Sequence, residues 1–182
     1  MDPVARSLLD RYPLPTNTAT ANNYSRTANE IVDQDQGDAR LDHKFATNRD
    51  QAFGRLTYFR EHALPVTAFP DGSGTIQAGS VAVGPQDTQA WAFASNYQHT
   101  FSTTVLNEVR IGDTRRAVQR SAVALASPAG AALNIPGIPA NARFPNTMPT
   151  FAPNGYQQLG SPNNTASDFS TGVTEIADSF TC

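Results

Sequence analysis

Cysteine occurs once, as Cys182, so no disulfide can form within the chain and no cysteine-based metal site can be assembled. Long apolar runs are missing too. A transmembrane helix needs about 20 mostly apolar residues, and the best candidate, Ala122 to Leu133, is short and broken by Pro128. The start, Met1-Asp2-Pro3-Val4-Ala5-Arg6, lacks the basic region and apolar stretch of a secretory signal. Any contact with a membrane is therefore expected through strands. Excess positive charge is absent as well: the formal net charge is −3, which gives no general attraction to a phosphate backbone, and nucleic acid is not expected as a partner. The one basic cluster, Arg115, Arg116 and Arg120, reads as a solvated strand end.

Catalytic signatures are equally scarce. No G-x-S-x-G elbow and no phosphate-binding G-x-x-x-x-G-K-[ST] loop occurs. His43, His62 and His99 are scattered, without the spaced His/Glu partners of a metal site. His43 and His99 share the parity of an outward face and read as interfacial residues. Asp33-x-Asp35-x-Gly37 has a calcium-loop flavour, but its glycine is one place early and Lys44 stands where the closing glutamate belongs. The expectation is a protein that is not an enzyme and uses no cofactor and no metal.

What is abundant is turn chemistry: 13 prolines and 12 glycines, against 39% hydrophobic residues. Asp2 can cap a short helix with Pro3 at its first position, and Tyr12-Pro13-Leu14-Pro15 stops it. The stretch 1–37 then reads as a loop segment carrying that helix. From Asp38 a two-residue period begins. Asp38, Arg40, Asp42 and Lys44 take one parity; Ala39, Leu41, His43 and Phe45 take the other. After a polar turn at 46–50, Ala52, Gly54, Leu56 and Tyr58 oppose Gln51, Arg55 and Thr57, which makes 38–60 a hairpin. Phe53 and Phe59 fall on the polar parity, and Phe59 fits an interfacial girdle near a strand end.

Residues 61–88 form a long connection rich in Pro and Gly. In 89–116 a second hairpin follows, with Trp91, Phe93, Tyr97 and Phe101 on one face and Ala92, Ala94, Asn96 and Gln98 on the other. Its return strand sets Val109 and Ile111 against Glu108 and Arg110. Another long connection covers 117–171, and 172–182 starts a fifth strand with Val173, Ile176 and Phe180 imperfectly placed.

Short turns thus alternate with very long connections. That asymmetry matches the periplasmic turns and extracellular loops of an outer-membrane barrel, whereas compact soluble domains keep most loops to about 4–6 residues. In that architecture Asp38, Arg40, Asp42, Lys44, Arg55, Glu108 and Arg110 face a wet lumen. Leu41, Phe45, Leu56, Tyr58, Trp91, Phe93, Tyr97, Phe101, Val109 and Ile111 face lipid or its interfacial girdles. The expected fold is all-β, an antiparallel and incomplete transmembrane barrel, with outer-membrane lipid as its surroundings. A soluble sheet with one solvated face produces the same period, so a soluble β-sheet binding module or a non-transporting surface β-protein is the alternative.

Specific residues carry a family resemblance. Asp2-Pro3-Val4-Ala5 with Leu8-Leu9, Tyr12-Pro13-Leu14-Pro15 and Asn22-Asn23-Tyr24 resemble a stretch of Oar-like TonB-dependent receptors. Asp38-Ala39-Arg40-Leu41-Asp42-His43-Lys44-Phe45 with Phe53-Gly54-Arg55 resembles that family's first hairpin. The segment Asn96 to Phe101 with Val105-Leu106-Asn107-Glu108-Val109-Arg110-Ile111-Gly112 resembles its second. The resemblance implies a larger receptor with a carboxypeptidase-regulatory-like sandwich, a plug and a barrel of about 22 strands. It also implies an unidentified substrate, energy delivered by the TonB complex through the plug, and residence in the bacterial outer membrane. On this reading the chain is a barrel fragment of that parent.

Overall fold

The computed structural model describes residues 1–74, 84–121, 150–160 and 167–182. Five strands, β1 (Ile31–Lys44), β2 (Asp50–Leu64), β3 (Gln86–Thr100), β4 (Leu106–Arg120) and β5 (Ser167–Thr181), lie side by side in chain order as one antiparallel sheet. Among the described residues the sheet is an open meander with β1 and β5 at its edges, and it does not close into a barrel. Two tight turns join neighbours. In the first, the Phe45 amide donates to the Asp50 carbonyl at 3.0 Å, and Asn48 adopts the left-handed conformation (φ 53°) that its short polar side chain tolerates. In the second, the amides of Phe101 and Ser102 both donate to the Val105 carbonyl.

Every strand runs further than side-chain alternation indicates. β1 starts at Ile31 rather than 38, β2 ends at Leu64 rather than 60, and β3 starts at Gln86 rather than 89. Likewise β4 ends at Arg120 rather than 116, and β5 starts at Ser167 rather than 172. All five extensions lie at the ends away from the tight turns. There the alternation weakens, as in Asp33-Gln34-Asp35-Gln36 where both parities are polar, so hydropathy contrast fades while backbone pairing continues. Asp33, Asp35 and Gly37 accordingly sit in an extended strand, which cannot wrap its ligands around a calcium ion. Phe59 is also displaced from its expected place, since β2 continues five residues beyond it. His62, expected in a connection, is a β2 residue.

The described residues group into two compact units, and the strands between Asp33 and Cys182 form most of one of them. The other is Met1–Val32, Ala63–Gln86 and Arg120–Ser167. It has its own small core. Phe69 (3% exposed) and Leu159 (0%) are surrounded by Leu8, Tyr12, Tyr24, Ala68 and Phe151. Tyr12 packs edge-on against Phe69 and Tyr156 with ring centroids at 5.6 and 5.4 Å, and Tyr24 packs against Phe69 at 5.7 Å. Helix α1 (Pro3–Leu9) supplies Leu8, and Asp2 caps it by accepting from the Val4 and Ala5 amides.

Polar bonds fix the loops around this core. Arg26 donates to the carbonyls of Thr67 and Phe69, and the Tyr12 hydroxyl donates to the Gln157 carbonyl at 2.7 Å. Asp71 accepts from the Ser73 amide and hydroxyl, holding a turn in which Gly72 has φ 79°. Isolated bridges pair Leu159 with both Gly74 and Phe151. The connections 61–88 and 117–171 are therefore partly built structure rather than structureless links, though 75–83, 122–149 and 161–166 lie outside the described residues. The apolar stretch at 122–133 falls among those.

Candidate functional site

The cross-strand contacts sort the side chains of the sheet onto two faces. Asp38 on β1 accepts from Arg55 and Thr57 on β2, both at 2.6 Å. Gln51 on β2 bonds Gln98 on β3, and Asn96 on β3 bonds Glu108 on β4. Strand alternation extends this face to Arg40, Asp42 and Lys44 on β1 and Arg110 on β4. All seven residues expected at a lumen wall thus share one charged face.

Charges there are neutralised locally. Arg40 pairs with Asp42 through two nitrogens at 2.7 and 2.8 Å, and Arg110 pairs with Glu108 at 2.6 Å. The guanidinium of Arg40 also lies 4.1 Å from the ring centroid of Phe53. That contact gives Phe53 a reason to sit among charges. These pairs are solvent-exposed, so they order the surface more than they stabilise it.

The opposite face is aromatic. Tyr58 on β2 meets Trp91 on β3 with ring centroids at 4.4 Å. At the tight-turn end, His43 packs on Phe45, His99 packs on Phe101, and Phe101 reaches Phe180 on β5 at 5.9 Å. The ten residues expected at lipid or girdle positions share this face by alternation, and most of them are exposed; Leu41 is 77% exposed. Ile176 and Phe180 belong to it, whereas Val173 has the opposite parity.

Several residues of this face escaped sequence reasoning. Asp50 accepts from the Tyr97 hydroxyl at 2.6 Å and faces His99 Nδ1 at 2.5 Å, latching β2 to β3 beside the turn. His62 and Asp87 form a cross-strand pair at 2.8 Å near the other end. Asp113, Arg115 and Thr174 make a small network between β4 and β5, with Asp113 accepting at 2.6 Å from Thr174. Gly172 provides the space for Arg115, because a Cβ there would lie 2.6 Å from the guanidinium. Extending the two-residue period outward from the clear centre of each strand would have located all of these.

The loop unit has an open apolar cleft of about 260 Å³ beside α1, lined by residues including Leu8, Leu9, Tyr12, Phe151 and Leu159. Among the described residues no group of three or more His, Cys, Asp or Glu side chains converges as a metal site would require. No helix among them is long and apolar enough to cross a membrane.

Five long antiparallel strands with one charged and one aromatic face are the pattern of a barrel wall, and a family model described as an outer membrane beta barrel domain matches residues 1–182. The chain belongs to that family. Comparison with curated proteins and with solved structures finds no match. As an outer membrane barrel domain, the chain is that of a barrel membrane protein, and its described residues form five strands of barrel wall. Strands are what cross the bilayer in such a protein, because only a closed sheet or a helix satisfies its backbone without water.

Proposed function

We propose that this outer membrane barrel domain is wall and outer-loop structure of a TonB-dependent receptor of the Oar-like type, serving substrate transport rather than catalysis. The observation that carries the reading is the division of the sheet into a charged and an aromatic face. Strands of 14–15 residues span roughly 45–50 Å, or about 35–40 Å of height at the usual tilt, more than the apolar band of about 25 Å. They cross the band and project beyond it. The polar ends with Asp33, Arg60, Asp87 and Asp168 fit that projection, on the side where the long connections join the strands.

In this reading Arg40 and Arg110 face the lumen, and Leu41 and Val109 face lipid. Single cysteines at these four positions, probed with a membrane-impermeant thiol reagent, test it; stronger labelling at 41 and 109 than at 40 and 110 refutes it. The receptor assignment rests on the hairpin residues Asp38 to Phe45 and Asn107 to Gly112, which resemble that family. Uptake by the complete receptor should stop when TonB is removed. Unchanged uptake would leave a non-transporting surface barrel, whose loop unit with its own core offers a binding surface.

A further inference from the structure

The ends of β1, β2 and β3 away from the tight turns place a histidine between two carboxylates. The Phe45–Asp50 bond at the first turn, and the bonds from Arg55 and Thr57 to Asp38 further along, fix the register of β1 on β2. Asp33 lies as many residues before Phe45 as His62 lies after Asp50, and the strand ends Ile31 and Leu64 keep the same count. Asp33 is therefore directly opposite His62, a distance at which cross-strand side chains interact. On the same face, His62 Nδ1 lies 2.8 Å from Asp87 Oδ1 of β3. One step nearer the tight turns, this register sets Asp35 opposite Arg60, with Gln89 beside them on β3. Asp35 thus faces a permanent cation. Arg60 is only diagonal to Asp33, which directly faces a cation only when His62 is protonated.

We propose that His62 is an acid-tightened clasp that ties β1 to β2 where the segments 1–30 and 65–85 join the sheet. A neutral imidazole has one N–H to donate, and an imidazolium has two and a positive charge. The neutral ring can serve Asp87 alone. Protonation supplies the second donor and the charge that Asp33 lacks. Both carboxylates stay ionised between pH 5 and 8, where an imidazole ordinarily changes charge. Acidification across that range therefore strengthens the hold on β1. Raising the pH leaves Asp33 facing an uncharged ring, with Asp35 as a like-charged neighbour on its own strand. The bond from His62 to Asp87 is available in both states, so the change falls on β1 rather than β3. The side chains of His62 and Asp87 are 42% and 48% exposed. The ring thus exchanges protons with bulk water, and solvent screening keeps the effect to about 2- to 5-fold in local opening. The clasp depends on the register of the sheet alone and stands whether or not the domain belongs to a TonB-dependent receptor.

Amide hydrogen exchange on the full chain in phospholipid vesicles tests this. It is compared at about pH 5.5 and about pH 7.5, either side of the ordinary imidazole titration, after correction for the intrinsic pH dependence of exchange. The amides of 31–37 should be about 2- to 5-fold better protected at the lower pH, and those of 86–90 should not change. His62→Gln and Asp33→Asn should each abolish the response. His62→Lys, with a charge at both pH values, should keep 31–37 protected at both. The proposal is overturned by a natural chain without the response, or by one in which β3 responds as strongly as β1. It is equally overturned if the response persists in His62→Gln or Asp33→Asn, or if His62→Lys titrates as the natural chain does.

Discussion

Leu56 and Ala92 offer a direct comparison of the two faces at one depth. Leu56 lies on the aromatic face of β2, beside Tyr58 on its own strand and in the row of Phe93 on β3; Ala92 lies next to Phe93 with the opposite parity. The aromatic side chains of β3 run from Trp91 to Phe101, a rise of roughly 25 Å at the usual tilt, and Leu56, in the row of Phe93, falls inside that band, roughly 8 Å from its middle. None of its same-face neighbours there is an acid that could receive a cation. Leu56→Arg should therefore carry a part of the midplane penalty, about 1–3 kcal/mol at that depth, whereas Ala92→Arg on a watered wall should cost about zero. The difference corresponds to roughly 5- to 150-fold in the folding equilibrium. It can be read from denaturant titrations of the barrel in phospholipid vesicles, scored by heat-dependent electrophoretic mobility. Equal penalties, or a larger one for Ala92→Arg, would refute the assignment of the faces.

Trp91, the single tryptophan, should be quenched by lipids brominated along their chains and little by aqueous iodide; the reverse would place the aromatic face in water or against protein. Leu159→Ala removes a fully buried side chain from the loop core and should cost about 2–5 kcal/mol; exchange of the Phe151 and Leu159 amides should rise at least about 30-fold, with β2 to β4 unaffected. Tyr12 has its pKa raised above 10.0, first by burial and then by the nearby Tyr156. Its protonated form is thus favoured by folding: the contribution is complete below pH 10 and is lost as pH rises through the folded-state value. Limited proteolysis of the loops should accelerate across that alkaline range in the natural chain and less steeply in Tyr12→Phe. Identical profiles would show that Tyr12 does not govern the loop core.

The centres of the strands were legible because their faces differ chemically: Arg40 beside Leu41, Glu108 beside Val109. Their outer ends were not, since Asp33 to Gly37 and Arg60 to His62 offer no contrast from one residue to the next. Phe53 breaks the alternation because Arg40 of the neighbouring strand lies against its ring, a contact that the order of residues along β2 does not report. The loop core was invisible for another reason. Tyr12 and Gln157 are 145 positions apart, and no local period reports a contact of that range. Asp50 has the sequence context of a turn's last residue, and nothing local reports that it is also the acceptor joining β2 to His99 and Tyr97.

The contrast between neighbour-only pairing in the sheet and long-range contacts in the loop core sets an order of assembly. Among the described residues each strand pairs with those before and after it in sequence, and two of these four pairings need only a short turn to close, so hairpins can form early and locally. The core around Phe69 and Leu159 must gather pieces from residues 8, 12, 24, 69, 151 and 159, each bearing the entropy of a long closed loop. It should be the last element to form during biogenesis and the first to open in the finished protein.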